Sequence, residues 1–196
     1  MSMLSFIFNT KYSKYPMFLQ YVDYTHRVDG NDYLEAKRIL EEGDILLRGH
    51  DNYLSRFIIP GEYSHSGIYI GGEWVIHSTV EKGVHKATLV DFMRCDRFIA
   101  LRPNFGRTDI RTAAYKYIGK NYDNELEDAD DEYYCHEFVA AVLNKCGFGI
   151  EKKFASTLFG LIKKAVYCAD SFLENFSLVK SMEIDWKKNT ANKGGQ

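Results

Sequence analysis

Ser64-His65-Ser66-Gly67-Ile68-Tyr69-Ile70-Gly71-Gly72-Glu73-Trp74-Val75-Ile76-His77-Ser78-Thr79 reads as two short strands about a glycine-rich turn. Side chains alternate faces along a strand. Ile68 and Ile70 therefore share one face, and His65, Gly67 and Tyr69 the other. On the second strand Trp74 and Ile76 oppose Val75 and His77. Both apolar sets must meet one core, which demands a loop of odd length, such as Gly71-Gly72-Glu73 with a left-handed glycine. A two-residue loop would send the apolar sets to opposite faces. The odd loop brings His65 and His77 out on the same face, as cross-strand or diagonal neighbours within reach of an imidazole–imidazole hydrogen bond.

Some 70 residues downstream runs Tyr133-Tyr134-Cys135-His136-Glu137-Phe138-Val139-Ala140-Ala141-Val142-Leu143. It predicts an apolar-faced helix over Tyr134–Cys146, ended by Gly147, with a thiol in its first turn. A thiol facing two imidazoles is what a cysteine nucleophile requires. His65 is the candidate base and His77 the group that holds its ring. The helix start adds partial positive charge and free amides. The amide of Cys135, with Tyr134 or Tyr63, is the candidate oxyanion site. Reactivity of Cys135 well below the ordinary thiol pKa of ~8.5 is expected. Taken alone, Cys135 also fits a buried structural thiol. His136 points about 100° away around the helix and reads as structural, while His85 and His50 read as surface residues.

Working outward, Asn31–Glu42 predicts a helix capped by Asp32, with Leu34, Ile39 and Leu40 inward and Gly43 at its end. Asp44–Arg48, Gly83–Leu89 and Phe98–Arg102 predict further strands, Asp109–Ile118 a helix. Gly49–Tyr63 reads as a connector with a Pro60-Gly61 turn. Phe154–Val166 predicts a last, core-packing helix with a basic patch. Asp123–Glu132 holds seven acids in ten positions and lacks EF-hand spacing; it reads as a solvated loop or a negative rim beside the thiol. Strands flanked by helices suggest α+β: one antiparallel sheet with helices on one side. One catalytic domain over 1–186 is expected, with 1–30 a packed arm, 31–180 the core and 187–196 a disordered tail.

Bulk properties exclude more than they assert. A net charge of −2 argues against nucleic acid as a partner. Cys95, Cys135, Cys146 and Cys168 form no CxxC pair, so a zinc ribbon or dithiol site is not expected. Free thiols, no signal peptide and no apolar run of ~18 residues suggest a cytoplasmic protein. No metal or organic cofactor is implied, and membrane contact is not favoured.

The segments Gly43-Asp44-Ile45, Ser64-His65-Ser66-Gly67-Ile68, Val75-Ile76-His77-Ser78-Thr79, Lys82-Gly83-Val84, Tyr122-Asp123 and Tyr133-Tyr134-Cys135 resemble the YiiX-like branch of the NlpC superfamily and its poxviral relatives. The histidine strand precedes the cysteine helix, which is the circularly permuted papain order. The resemblance covers roughly residues 40 to 147. It implies a permuted papain-like fold: an antiparallel sheet or small barrel preceding the helix that carries the nucleophilic cysteine. It implies hydrolysis or transfer at an amide, thioester or ester, with amidase or peptidase chemistry favoured and a small-molecule, peptide or lipid substrate. A non-catalytic lipid- or peptide-binding module on the same fold is the alternative. YiiX-like members carry Glu where this chain has His77; the lecithin retinol acyltransferase-like branch uses histidine.

Overall fold

Three consecutive residues, Ile45, Leu46 and Leu47, are fully buried in strand β3 (Ile45–Gly49). A strand apolar on both sides needs cover on both sides, and that sets the layout. The computed structural model describes residues 10–12, 19–21, 28–50, 62–104, 107–123, 131–157 and 162–179. With β4 (His65–Tyr69), β5 (Trp74–Thr79), β6 (Gly83–Thr88), β7 (Arg97–Arg102) and β10 (Ser177–Val179), β3 forms a six-stranded sheet in the order β10-β7-β3-β4-β5-β6. Every neighbouring pair is antiparallel. The expected α+β arrangement with an antiparallel sheet is present, as an open sheet bounded by β10 and β6.

Helices cover both faces of this sheet, not one. Ile45, Ile68 and Ile76 pack with Ile110 and Ala114 of α3 (Arg107–Tyr115) and Phe138 and Val142 of α4 (Cys135–Lys145). Leu46, Tyr69 and Val75 pack with Ala36 of α1 (Gly30–Ile39) and Leu89 and Phe92 of α2 (Leu89–Phe92). The reason is the second apolar row. Leu46, Tyr69 and Val75 alternate with the isoleucines and need their own partner layer. On α4 the stripe Phe138, Val139, Val142 and Leu143 is fully buried; each side chain contributes about 1.5–3 kcal/mol. A short helix α5 (Asp170–Leu173) adds Phe172 to the same core.

The β4–β5 loop has the odd length that parity requires. Ile68 faces Ile76 and Tyr69 faces Val75 in the register. Gly71, Gly72 and Glu73 turn with φ of 83°, 56° and 70°. Glu73, a non-glycine in the left-handed region, is held by the Tyr33 hydroxyl at 3.0 Å and by an ion pair with Lys37.

Three further expectations are corrected. The cap of α1 is Asp29, whose carboxylate accepts from Asn31 N and Asp32 N; Asp32 is its reciprocal partner, accepting from Asp29 N. Leu34 is 63% exposed, because Ala36 and Leu40, one turn apart, form the buried face. The described residues of 154–166 are strands and not a helix. Strands β8 (Lys153–Thr157) and β9 (Ile162–Val166) pair antiparallel, Thr157 opposite Ile162. Gly160 in a helix interior would have cost about 1 kcal/mol, and Thr157, Ile162 and Val166 favour strands. Phe154 is 87% exposed and packs in no core. The arm contributes a small pair, β1 (Thr10–Tyr12) with β2 (Leu19–Tyr21). The Pro60-Gly61 turn, most of the acidic loop and the 187–196 tail lie outside the described residues.

Asp44, just before β3, is fully buried. Its carboxylate takes two hydrogen bonds from Arg102, at 2.9 and 2.8 Å, and one from Glu41 N at 2.8 Å. This bidentate pair ties β3 to the end of β7 and to the chain leaving α1.

Candidate active site

The β4–β5 ladder stops at Gly67 opposite His77. His65 and Ser66 continue past it beside β3, Ser78 and Thr79 beside β6. The site is built around this opening.

His65 and His77 leave the sheet on the α1–α2 face, as diagonal neighbours. His65 Nε2 lies 2.7 Å from His77 Nδ1, with the rings nearly perpendicular at 89°. Phe92 of α2 packs against both, its centroid 5.7 Å from His65 and 5.5 Å from His77. Gly67 makes room for it: a Cβ there would stand 2.9 Å from Phe92 Cε2. Arg48, opposite His65 on β3, stacks 4.8 Å from the centre of the Phe92 ring. Its Nη1 donates to the Phe92 and Asp91 carbonyls at 3.0 and 3.4 Å, at the end of α2.

Cys135 opens α4, with Tyr134 as an N-cap that makes no side-chain cap bond. Its helix packs on the opposite face from the imidazoles. The thiol therefore meets the sheet at its opening, Sγ 3.8 Å from the carbonyl of Ser64, the residue before His65. The Tyr134 hydroxyl accepts from Tyr167 N at 2.7 Å and donates to Tyr167 O at 3.3 Å. It is thus engaged with the chain leaving β9. Tyr63 packs in the core on the α4 face. His136 is fully buried, its Nδ1 2.9 Å from Ser66 Oγ.

Burial dominates the electrostatics. It pushes the Cys135 thiol up to about 11, against the amides of Ser66, His136 and Cys135 and the positive charge of Arg48. This reverses the expectation of a lowered thiol pKa, because the helix-start and amide contributions are outweighed by desolvation. Burial also lowers His65 and His77 well below the ordinary imidazole value, and Arg48 adds to the effect on both. His136 is drawn to about 4 by burial, opposed by the Tyr63 carbonyl. At neutral pH the Cys135 thiol and the His65 and His77 imidazoles are therefore all uncharged.

In the hydrogen bond between two neutral imidazoles one ring donates and the other accepts, and the tautomers decide which. For His65 Nδ1 to be free to take a proton, Nε2–H must donate to His77 Nδ1. His77 then carries its proton on Nε2. That atom is buried and has no hydrogen-bond partner among the described residues. An unsatisfied buried donor costs about 1–3 kcal/mol. His85, opposite His77 on β6, has its ring centroid 4.5 Å from that of His77 and places its own Nδ1 2.9 Å from the Gly83 carbonyl.

Three residues of this site were not anticipated. Phe92 lies on a four-residue helix too short to show periodicity. Arg48 is recognisable only once the β3–β4 register is known. Tyr122 packs with Tyr134 and Val166, and burial together with charge on Cys135 raises its hydroxyl; its one sequence signal is the Tyr122-Asp123 segment. Of the acidic loop, Asp123 is buried, Asp131 pairs with Lys120 and Glu132 bridges Asn121.

Residues 39–166 match the family described as permuted papain-like amidase enzyme, YaeF/YiiX, C92 family. A comparison with curated proteins finds no significant match. Among solved structures, the chain is similar to the crystal structure of metalloprotein yiiX from Escherichia coli O157:H7, with a TM-score of 0.61 and 16% identity over 73% of this chain and 98% of that one. That likeness is one of fold. Among the described residues no three His, Cys, Asp or Glu side chains are grouped to hold a metal. His65 and His77 spend their facing nitrogens on each other, so the donor set here does not fit an ion. No helix among the described residues is long and apolar enough to cross a membrane.

Proposed function

The chain belongs to the permuted papain-like amidase family, and from that premise we propose that it cleaves an amide through an acyl-enzyme on Cys135. The observation that carries this is the His65–His77 bond of 2.7 Å at the sheet opening where the Cys135 thiol lies. His65 Nδ1 takes the thiol proton as sulfur attacks the substrate carbonyl carbon. His77 accepts from His65 Nε2 and steadies the imidazolium that forms. The new oxyanion lies against the amides of Cys135 and His136, with Tyr63 as a further candidate donor. His65 then protonates the leaving amine as the C–N bond breaks. Water attacks the thioester and gives its proton to His65; the C–S bond then breaks to release the acid, and His65 returns the proton to the Cys135 sulfur. An acceptor other than water would make the same intermediate an acyl transfer, and ester or thioester substrates would follow the same steps.

The neutral resting state fits this sequence. A buried thiol that ionises only during attack is protected from adventitious alkylation. Peptides and small acyl-amides are the favoured substrates, lipids the alternative. Four free cysteines support a reducing compartment such as the cytoplasm.

The high thiol pKa also favours a second reading, a binding module whose cysteine is inert. Turnover of a panel of acyl-amides, thioesters and phospholipids by wild type and Cys135→Ala separates the two. Hydrolysis of at least one panel member that disappears in the variant is expected. Identical activity in both proteins overturns the enzymatic reading.

A further inference from the structure

Each strand of the hairpin carries a His-Ser pair, His65-Ser66 on β4 and His77-Ser78 on β5. Adjacent residues point to opposite faces. The histidines leave on the α1–α2 face, so the serines face α4, where the rest of the row is Ile68, Ile70 and Ile76. Ser66 and Ser78 are fully buried there. A hydroxyl in such a layer is costly unless it is hydrogen-bonded. Both are, and both bond to the segment that carries the nucleophile. Ser78 Oγ donates to the Tyr133 carbonyl at 2.7 Å. Ser66 Oγ lies 2.9 Å from His136 Nδ1.

Tyr133 and His136 bracket Cys135. The register Gly67 opposite His77 puts Ser66 and Ser78 one step beyond the last paired residues, at the mouth of the opening. The Tyr133 carbonyl precedes α4 and is not needed by its backbone ladder, so the bond from Ser78 fixes the direction in which the chain enters the helix. The bond from Ser66 fixes its first turn.

We propose that Ser66 and Ser78 are positioning residues, a two-point clamp that holds Cys135 at the sheet opening beside the histidine pair. This rests on the hydrolase reading for its purpose, though not for its geometry. One dipeptide repeated on two antiparallel strands thereby supplies both halves of the site: the histidines on one face and the restraint on the thiol from the other. It also accounts for His136, which serves as the anchor of Ser66 and takes no part in proton transfer.

The test is the pH profile of iodoacetamide alkylation at Cys135, followed by peptide mass spectrometry on the full chain. Loss of either hydroxyl frees the helix start and lets the thiol leave its desolvated seat. Ser66→Ala, Ser78→Ala and the double variant should each move the midpoint from about 11 toward the ordinary value of ~8.5. The double variant should move it furthest, by at least about one unit. Ser66→Thr and Ser78→Thr, which keep the hydroxyl, should restore most of the wild-type profile. A purely structural role would lower the melting temperature and leave the midpoint in place, and that result overturns the clamp. If the double variant does not fold, the two single variants decide the matter. His65→Ala in the same assay tests the parent reading separately: an unmoved His65→Ala profile argues against the hydrolase, whereas unmoved serine variants argue against the clamp alone.

Discussion

At one end of β3, Asp44 gives both carboxylate oxygens to Arg102; at the other, Arg48 stands beside two imidazoles held neutral by burial. The strand is five residues long, so the same sheet supports both ends. At the Asp44 end a buried charge meets an opposite charge in fork geometry plus a backbone amide. At the Arg48 end a cation faces groups that would become cationic on protonation, and a neighbouring ring nitrogen, His77 Nε2, has no partner among the described residues. The first arrangement stabilises a corner of the fold. The second is electrostatically uneasy in the resting state, and on the proposed mechanism it improves when the negative charge of a thiolate or an oxyanion arrives. Groups arranged for a transition state need not be at ease before it.

The largest expected effects test the uneasy end. Cys135→Ala should abolish amide turnover with little change in melting temperature, since a small residue fits a helix start. His65→Ala should cost nearly as much, at least about 10³-fold, because nucleophile and base act as a unit. Steady-state kinetics beside thermal melts check both. A Cys135→Ala protein that fails to fold would mean that the thiol is structural.

Asp44→Ala should show the reverse pattern. Removing one partner of a buried pair costs about 3 kcal/mol, a fall of roughly 6–12 °C in melting temperature for a chain of this size. Cys135 alkylation in the surviving fold should be unchanged. A shifted alkylation profile would show that the two ends of β3 are coupled.

Acid should act on the buried histidines. His65, His77 and His136 all have folded pKa values below the unfolded ~6.5. Their unfolded forms bind protons first, so stability is full above that value and is lost as pH falls toward the folded values. For His136 the window runs from ~6.5 to about 4 and is worth on the order of 3 kcal/mol. Urea unfolding at pH 7 and pH 4.5 should show most of this loss. His136→Gln should be less sensitive to acid across the same interval.

Smaller effects concern the orienting groups. His77→Ala should lower turnover by about 10- to 100-fold. His77→Glu should retain more, because an acceptor-only carboxylate takes the His65 Nε2 proton without leaving a buried donor of its own. Equal damage by Ala and Glu would remove His77 from the proton path. The smallest effect is that of Arg48→Met. Losing a side-chain cation that acts on both thiol and imidazoles should raise the Cys135 alkylation midpoint by about half a unit, roughly threefold in rate at fixed pH. A downward shift would contradict the role given to Arg48.

Much of this was legible because parity is a strict rule. The Ile68, Ile70 and Ile76 pattern required an odd loop, and the odd loop required His65 and His77 to be neighbours; the register and the 2.7 Å bond follow. The span of α4 was readable from its apolar stripe and Gly147. The β8–β9 hairpin was misread because an apolar stretch with scattered lysines is compatible with either period, and only backbone pairing separates them.

What the sequence determined alone, then, was local and periodic: the faces of the hairpin, the helix that begins at Cys135, and the residue types needed for thiol chemistry. The tertiary structure decided what depends on distant residues. Packing placed Phe92, from a four-residue helix, against both imidazoles, and set Arg48 opposite His65. Closure of the sheet by helices on both faces buried the thiol and reversed the direction of its pKa. Desolvation is a property of everything that surrounds a group, and no stretch of sequence around Cys135 encodes it.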